Sequence, residues 1–365
     1  MKCTRTLAFV ENFTPNWFAT TMGTGITAIC INTLSNHFSG LSTLATGIWV
    51  FNIGLFLFFT SVMLAQILLY PKSCQRILHH SSQGMFLGCI PMGLMTIVNG
   101  FVFFGLPLMG DVAIQIGVVL WWVDVVLSVL SILIVPYYMF TRQEHALESM
   151  TAVWLLPFVA CEVAAAGGGL LLPHLVPNDV LTILFTSLVL WSVSVSLALS
   201  ILVIFFYRLC IHKLPPKELA ASIWLPLGPT GTGGMALLLL GHNVGALATT
   251  SYPPAVVNLI QLLPGVGLLI GTVFWALASW WLMIALIATI HYLVKSRLKF
   301  NLGFWAYTFP LGVYSMATVN LGVQTDMAFF KIYGWVLVTT LSVIFLCLFT
   351  RTFLWKLLFC KGSQA

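Results

Sequence analysis

Apolar runs of roughly twenty residues follow one another along this chain, separated by short polar gaps. Each is long enough to cross a bilayer as a helix. They do not alternate residue by residue, as the strands of a membrane barrel would. The pattern predicts an all-α polytopic membrane protein with ten transmembrane helices, at 14–32, 45–70, 85–106, 112–140, 151–172, 180–208, 219–241, 263–294, 301–322 and 332–356.

The odd and even spans differ. Spans two and ten, such as "GIWVFNIGLFLFFTSVMLAQILL", are smooth runs of Leu, Val, Phe and Trp, suited to face lipid. The odd spans each carry an early proline followed by glycines: "TPNWFATTMGTGI", "IPMGLMTIVNG", "LPFVACEVAAAGGG", "LPLGPTGTGGMALLLLG" and "FPLGVYSMATVNLG". Their leading prolines, Pro15, Pro91, Pro157, Pro226 and Pro310, are spaced by 76, 66, 69 and 84 residues, which marks one helical hairpin repeated five times. Proline removes a backbone donor and kinks a helix interior, and lipid cannot satisfy the freed carbonyl. Small residues also let helices pack closely. The expected architecture is an inner ring of five proline- and glycine-broken odd helices within an outer ring of five even ones.

Charge placement sets the orientation. Of 15 Lys and Arg, only Lys331 falls on one side of this topology. The other 14, from Lys2 and Arg5 through Lys72, Arg76, Arg142, Arg208, Lys213, Lys217, Lys295, Arg297, Lys299, Arg351, Lys356 and Lys361, fall on the other. The positive-inside rule makes that side, with both termini, cytoplasmic. The chain is expected to be one transmembrane domain, 1–365, in a cell membrane, either a plasma or a bacterial inner membrane, with the lipid bilayer as its surroundings. No signal peptide is seen in "MKCTRTLAFVENFTPNW".

Composition agrees: 60% hydrophobic, 7% charged, mean hydropathy +1.03. The eight cysteines form no C-x-x-C pair and read as free packing thiols. The histidines stand at span ends or in loops, and H-E-x-x-H, G-x-S-x-G and Walker A patterns are missing. Neither a metal nor another cofactor, nor a nucleic-acid partner, is expected, and enzyme chemistry is disfavoured. A receptor that binds without transporting is the rival of another class.

Two acids lie within spans. Intramembrane acids are costly and face a bundle interior or cavity. Glu162 reads either as a proton-coupling group or anion gate, or as a structural acid joining two helices; Asp124 reads as structural. Helix N-termini carry partial positive charge, and discontinuous helices can hold an anion without a full counter-charge. The hydroxyls of Thr20, Thr24, Thr230, Thr232, Thr308 and Ser315 could add neutral donors, while Gly228, Gly231 and Gly312 extend the kink pattern. Phe309 is singular, since the other copies place Thr14, Ile90, Leu156 and Leu225 before the repeat proline. From position alone it is either a plug in a narrow path or a packing residue.

Taken together, "FTPNWFATTMGTGI", "WLPLGPTGTGGMALLLLG" and "WAYTFPLGVYSMAT" resemble the tellurite-resistance/dicarboxylate transporter family, over essentially the whole chain. That family includes bacterial tellurite-resistance proteins, fungal malate permeases and sulfite exporters, and plant slow anion channels. The resemblance implies ten helices with the odd ones around a central pore, a homotrimer with one pore per subunit, and occlusion by a phenylalanine on the ninth helix, here Phe309. It also implies a transported small inorganic or carboxylate anion. C4-dicarboxylates such as malate come first in that expectation, because the chain is compact like the bacterial members. Sulfite, tellurite or passive anion conduction follows, with "LGPTGTGG" closer to the sulfite exporters.

Overall fold

A computed structural model describes residues 2–35, 37–244, 252–295 and 298–361. Part of the connection between the spans expected at 219–241 and 263–294, and Arg297, lie outside the described residues. Those residues are all-helical, without strands. Eight helices are long and apolar enough to cross a membrane: Leu41–Leu69, Gln83–Met109, Asp111–Thr141, Ala152–His174, Asp179–His212, Lys217–Val244, Pro254–Lys295 and Ala328–Thr352. The other two expected spans are helical but not among the eight. Their Thr, Gly, Ser and Asn residues lower their hydropathy, and the first is short.

The helices are α1 (Lys2–Glu11), α2 (Phe18–Asn32), α3 (Leu41–Leu69), α4 (Pro71–His79), α5 (Cys89–Gly100), α6 (Leu106–Met109) and α7 (Asp111–Thr141). They continue as α8 (Leu156–Leu171), α9 (Pro177–His212), α10 (Leu227–Val244), α11 (Pro254–Lys295), α12 (Thr308–Thr325) and α13 (Ala328–Lys361). Two of them, α1 and α4, lie outside the expected spans, because neither is a long apolar run. In addition, α11 begins nine residues earlier than its hydropathy marks.

Each of α2, α5, α8, α10 and α12 is entered through a short 3₁₀ turn: Pro15–Trp17, Gln83–Gly88, Ala152–Leu155, Lys217–Trp224 and Leu302–Tyr307. This changes the meaning of the repeat prolines. They were expected to break helices within the membrane. Instead, Pro91, Pro157 and Pro310 stand in the first turn of α5, α8 and α12, Pro15 opens its 3₁₀ turn, and Pro226 immediately precedes α10. There the missing N–H has no helical partner to lose, and the fixed φ suits helix initiation. The prolines within helix bodies are Pro136 of α7 and Pro264 of α11, both in long even helices.

Packing separates two layers. Within their most apolar stretches, α8 and α10 are each 94% buried, whereas α3, α7, α9, α11 and α13 are only 28% to 39% buried. The chain of contacts α2–α5–α8–α10–α12 returns from α12 to α2, so these five helices form a closed ring. Each less buried helix packs outside its predecessor: α3 on α2, α7 on α5, α9 on α8, α11 on α10, α13 on α12. Leu57, Leu68, Phe140, Val203, Val294 and Leu346 are exposed on these outer helices. So much contiguous apolar surface is compatible with lipid, not with water.

Tryptophans tie the layers together. The indole N–H of Trp49 on α3 donates to Ile97 O on α5 (3.2 Å), Trp121 on α7 to Ala164 O on α8 (2.8 Å), and Trp191 on α9 to Gly233 O on α10 (2.9 Å). Trp275 on α11 donates to Thr318 Oγ1 on α12 (2.9 Å). Four of the five outer helices are thereby pinned to the inner helix that follows them. At the closure, Trp335 of α13 meets His37, just beyond α2, edge-on at 4.7 Å.

Close helix approach supplies a stability test. A Cβ at Gly241 would sit 2.6 Å from Leu263 O and 3.2 Å from Pro264 Cα on α11, whereas one at Gly47 on α3 would meet nothing within 4 Å. Gly241→Ala is expected to destabilise the protein by about 1–3 kcal/mol, and Gly47→Ala to leave it unchanged, in thermal unfolding of the detergent-solubilised protein. Equal melting temperatures would refute this packing of α10 on α11.

Candidate functional site

The repeat places all five inner-helix N-termini at the same end of the ring. A cavity of about 220 Å³ opens there. Its mouth is formed by exposed Ser82, Glu218 and Gly303, and its deeper wall by buried Met22, Met92, Val159, Gly228 and Phe309. Every inner helix contributes. The mouth lies on the connections that bear Lys72, Arg76, Lys213, Lys217 and Lys299. Glu218 is the single charged residue in the lining.

Phe309 lies at the inner limit of the cavity and is 4% exposed. One turn further along the five helices, Ile26, Thr96, Val163, Thr232 and Val313 are all buried. Towards the opposite end, Asn99, Leu170, Leu239 and Asn320 regain partial exposure. The ring therefore has a cavity at one end, a buried middle, and renewed exposure at the other. Five helix N-termini around one cavity, each equivalent to roughly half a positive charge, favour an anion there although no Lys or Arg lines it.

The structure separates the candidate hydroxyls. Thr20 donates to Trp17 O, Thr24 to Thr20 O, Thr230 to Pro226 O, Thr308 to Trp305 O and Ser315 to Leu311 O, all at 2.7–2.8 Å and all within their own helix or its entry turn. Thr20 and Thr24 also line a different pocket, with Phe51, Phe58 and Phe349 of α3 and α13. Thr232 differs, since its Oγ1 is buried and has no partner. The glycines divide likewise. Gly231 packs against Tyr314 and Gly312 against Ile26, whereas a side chain at Gly228 would point into open space in the cavity.

The two acids have different settings. Asp124, buried on α7, accepts from Ser128 Oγ (3.3 Å), which also contacts Ala160 O of α8, so it helps join two helices. Glu162, fully buried on α8, has both carboxyl oxygens without a partner. It faces α10, where a Cβ on Gly233 would stand 3.1 Å from its Oε2. Among the described residues, no cluster of metal-binding side chains occurs. The apolar wall residues Met22, Met92 and Val159 went unrecognised in the sequence, because nothing in an apolar residue type tells which helix face it occupies.

The profile of a family described as voltage-dependent anion channel, SLAC1, matches residues 12–353. The chain belongs to this family. It is therefore an anion transporter embedded in a membrane, and the family consists of transporters and channels, not enzymes. A sulfite efflux pump of Arthroderma benhamiae is 37% identical, the match covering 94% of this chain and 90% of that protein. An uncharacterized transporter of Methanocaldococcus jannaschii is 29% identical over 86% and 84%. The malic acid transport protein of Schizosaccharomyces pombe is 24% identical over 94% and 79%.

The hydroxyl bookkeeping has a direct test. Thr20→Val and Thr24→Val, singly or together, are expected to leave anion flux within about twofold of wild type, because both hydroxyls are already bonded within their own helix. A large fall in flux in a well-folded variant would show that they face the transported ion.

Proposed function

We propose that this member of the SLAC1 family moves a small oxyanion of the sulfite class out of the cytoplasm, along the axis of the five-helix ring, with Phe309 as the occluding side chain. The observation that carries this reading is the cavity at the five helix N-termini, on the basic, cytoplasmic side, ending at Phe309. An anion is drawn in by the converging helix dipoles and by Gly228's open backbone surface. A buried aromatic ring in a dry constriction then stops it by excluding its water shell. The absence of a lining cation favours rapid release over tight binding.

The topology that goes with this function has ten spans, arranged as five hairpins with both termini cytoplasmic, since 15–32 and 302–325 join α5, α8 and α10 in the ring that the other five long segments surround. A trimer with one path per subunit, and residence in a plasma or bacterial inner membrane, complete the proposal.

The substrate order changes from the expectation drawn from sequence. Malate stood first there. The sulfite efflux pump shares more identity with this chain than the malic acid transport protein does. The geometry points the same way. Recognition of two carboxylates commonly uses bidentate Arg, and the cavity wall offers Met, Val, Phe and Gly instead. A single compact oxyanion matches it better.

In proteoliposomes, sulfite uptake is expected to exceed malate uptake, and Phe309→Ala to raise sulfite flux by about fivefold or more without altering oligomer size. Faster malate uptake would restore the dicarboxylate reading. Unchanged flux in well-folded Phe309→Ala would remove the phenylalanine from the path. Flux that follows an imposed potential would mark channel-like conduction; flux that ignores it would mark a carrier.

A further inference from the structure

The mouth of the cavity holds a charge of the wrong sign for its ligand. Five helix N-termini favour an anion there. Yet the single charged residue in the lining is Glu218, in the first turn of the 3₁₀ entry to α10. The spacing shows which way this entry faces. Glu218, Ala221, Ser222 and Leu225 all line the cavity and recur at intervals of three and four residues, so one face of the entry looks inward. Ala221, Ser222 and Leu225 are buried on that face, and Glu218 stands at its exposed outer end.

The backbone around Glu218 is fixed. Asn301 Nδ2 donates to Glu218 O (3.1 Å), and Asn301 Oδ1 accepts from Gly303 N (2.8 Å), which ties the entries of α10 and α12 together beside the cavity. These bonds use the main chain of Glu218 and leave its carboxylate to the cavity mouth. Among the described residues that carboxylate has no ion pair; the salt bridge found, Lys331 to Asp326, lies towards the other end of the ring. None of the basic residues on these connections, Lys72, Arg76, Lys213, Lys217 and Lys299, lines the cavity. Lys213 Nζ instead donates to Cys210 O (3.0 Å), and Arg76 to Ser73 Oγ (2.8 Å).

We propose that Glu218 is a charge filter, whose carboxylate at the cavity mouth passes monovalent anions and holds back divalent ones. This deepens the path proposed above and rests on it. Coulomb repulsion scales with the product of the charges, so a dianion at the rim is repelled twice as strongly as a monoanion at the same point. Hydration works in the same direction. The cost of stripping water from an ion grows as the square of its charge, while attraction to the partial charges of helix N-termini grows only in proportion. No cation in the lining offsets the difference. For the sulfite class, the filter selects the protonated monoanion, hydrogensulfite, over the sulfite dianion. Hydrogensulfite passes intact with its proton, so no bond forms or breaks in the cavity.

The test compares nitrate, a monoanion, with sulfate, a dianion whose charge is constant near neutral pH, in proteoliposomes at one neutral pH. Glu218→Gln is expected to raise sulfate flux relative to nitrate flux by about threefold to tenfold at low ionic strength, and by less in high salt, where the rim charge is screened. Glu218→Asp, which keeps the charge, should keep most of the wild-type ratio. Glu218 is exposed, so these substitutions leave the packed ring undisturbed. A sulfate-to-nitrate ratio that Glu218→Gln does not change overturns the proposal, as does sulfate flux absent from both wild type and Glu218→Gln. A shift that Glu218→Asp reproduces in full overturns it too, since shape and not charge would then be the cause. Gly228→Cys, in a background without the native cysteines and labelled with a thiol reagent, separates the filter from the path. If labelling leaves nitrate flux unchanged, anions do not cross this cavity and the path has failed. If labelling blocks nitrate while Glu218→Gln leaves the ratio unchanged, the path stands and the filter falls.

Discussion

Lipid offers no hydrogen bonds, and this constraint governs the molecule. The five inner helices are built from Gly, Thr, Ser and Pro, residues that suit a close ring but give little apolar surface to face acyl chains. They are stable only when covered. The outer helices supply the cover with Leu, Val and Phe, and their tryptophans reach inward to carbonyl or hydroxyl oxygens on the inner layer. Because four of the five outer helices pack on their own hairpin partner but donate an indole to the next hairpin, and Trp335 of α13 meets His37 beside α2, the five repeats interlock. Among the described residues, the ring holds its shape without any ion pair in its interior.

The same arrangement creates the site. Five hairpins in one orientation bring five helix N-termini to one end, and helix dipoles then favour an anion without a buried Lys or Arg. A full positive charge would bind an anion tightly and slow its exit. Distributed partial charge avoids that. Phe309, the occluding side chain of the proposed path, sits in the first turn of α12, at the junction with its 3₁₀ entry, and lines the cavity.

Much of this was legible in the sequence. Apolar length marked each helical segment to within a few residues, apart from the early start of α11, and the basic residues marked the cavity's side. The short amphipathic helices α1 and α4 escaped, having no long apolar run to show them. The repeat prolines were seen but misplaced. Hydropathy cannot distinguish a 3₁₀ entry from the α-helix it leads into, so Pro310 looked like a mid-span break when it is a first-turn residue. The hydroxyls were recognised by type, yet their partners were not. Only geometry shows that Thr230 is bonded to Pro226 O while Thr232, two residues on, is not. Met22, Met92 and Val159 carried no signal at all.

The central claim is that anions enter the ring from the basic side, through the cavity beside Phe309. Thiol labelling at Gly228 tests it most directly, because a side chain there meets no atom within 4 Å and points into the cavity. In a background where the native cysteines are replaced, Gly228→Cys should react with a membrane-impermeant reagent added from the cytoplasmic side, and not from the other. Sulfite should slow that reaction. Labelling from the opposite side alone, or labelling that sulfite does not touch, would contradict the account.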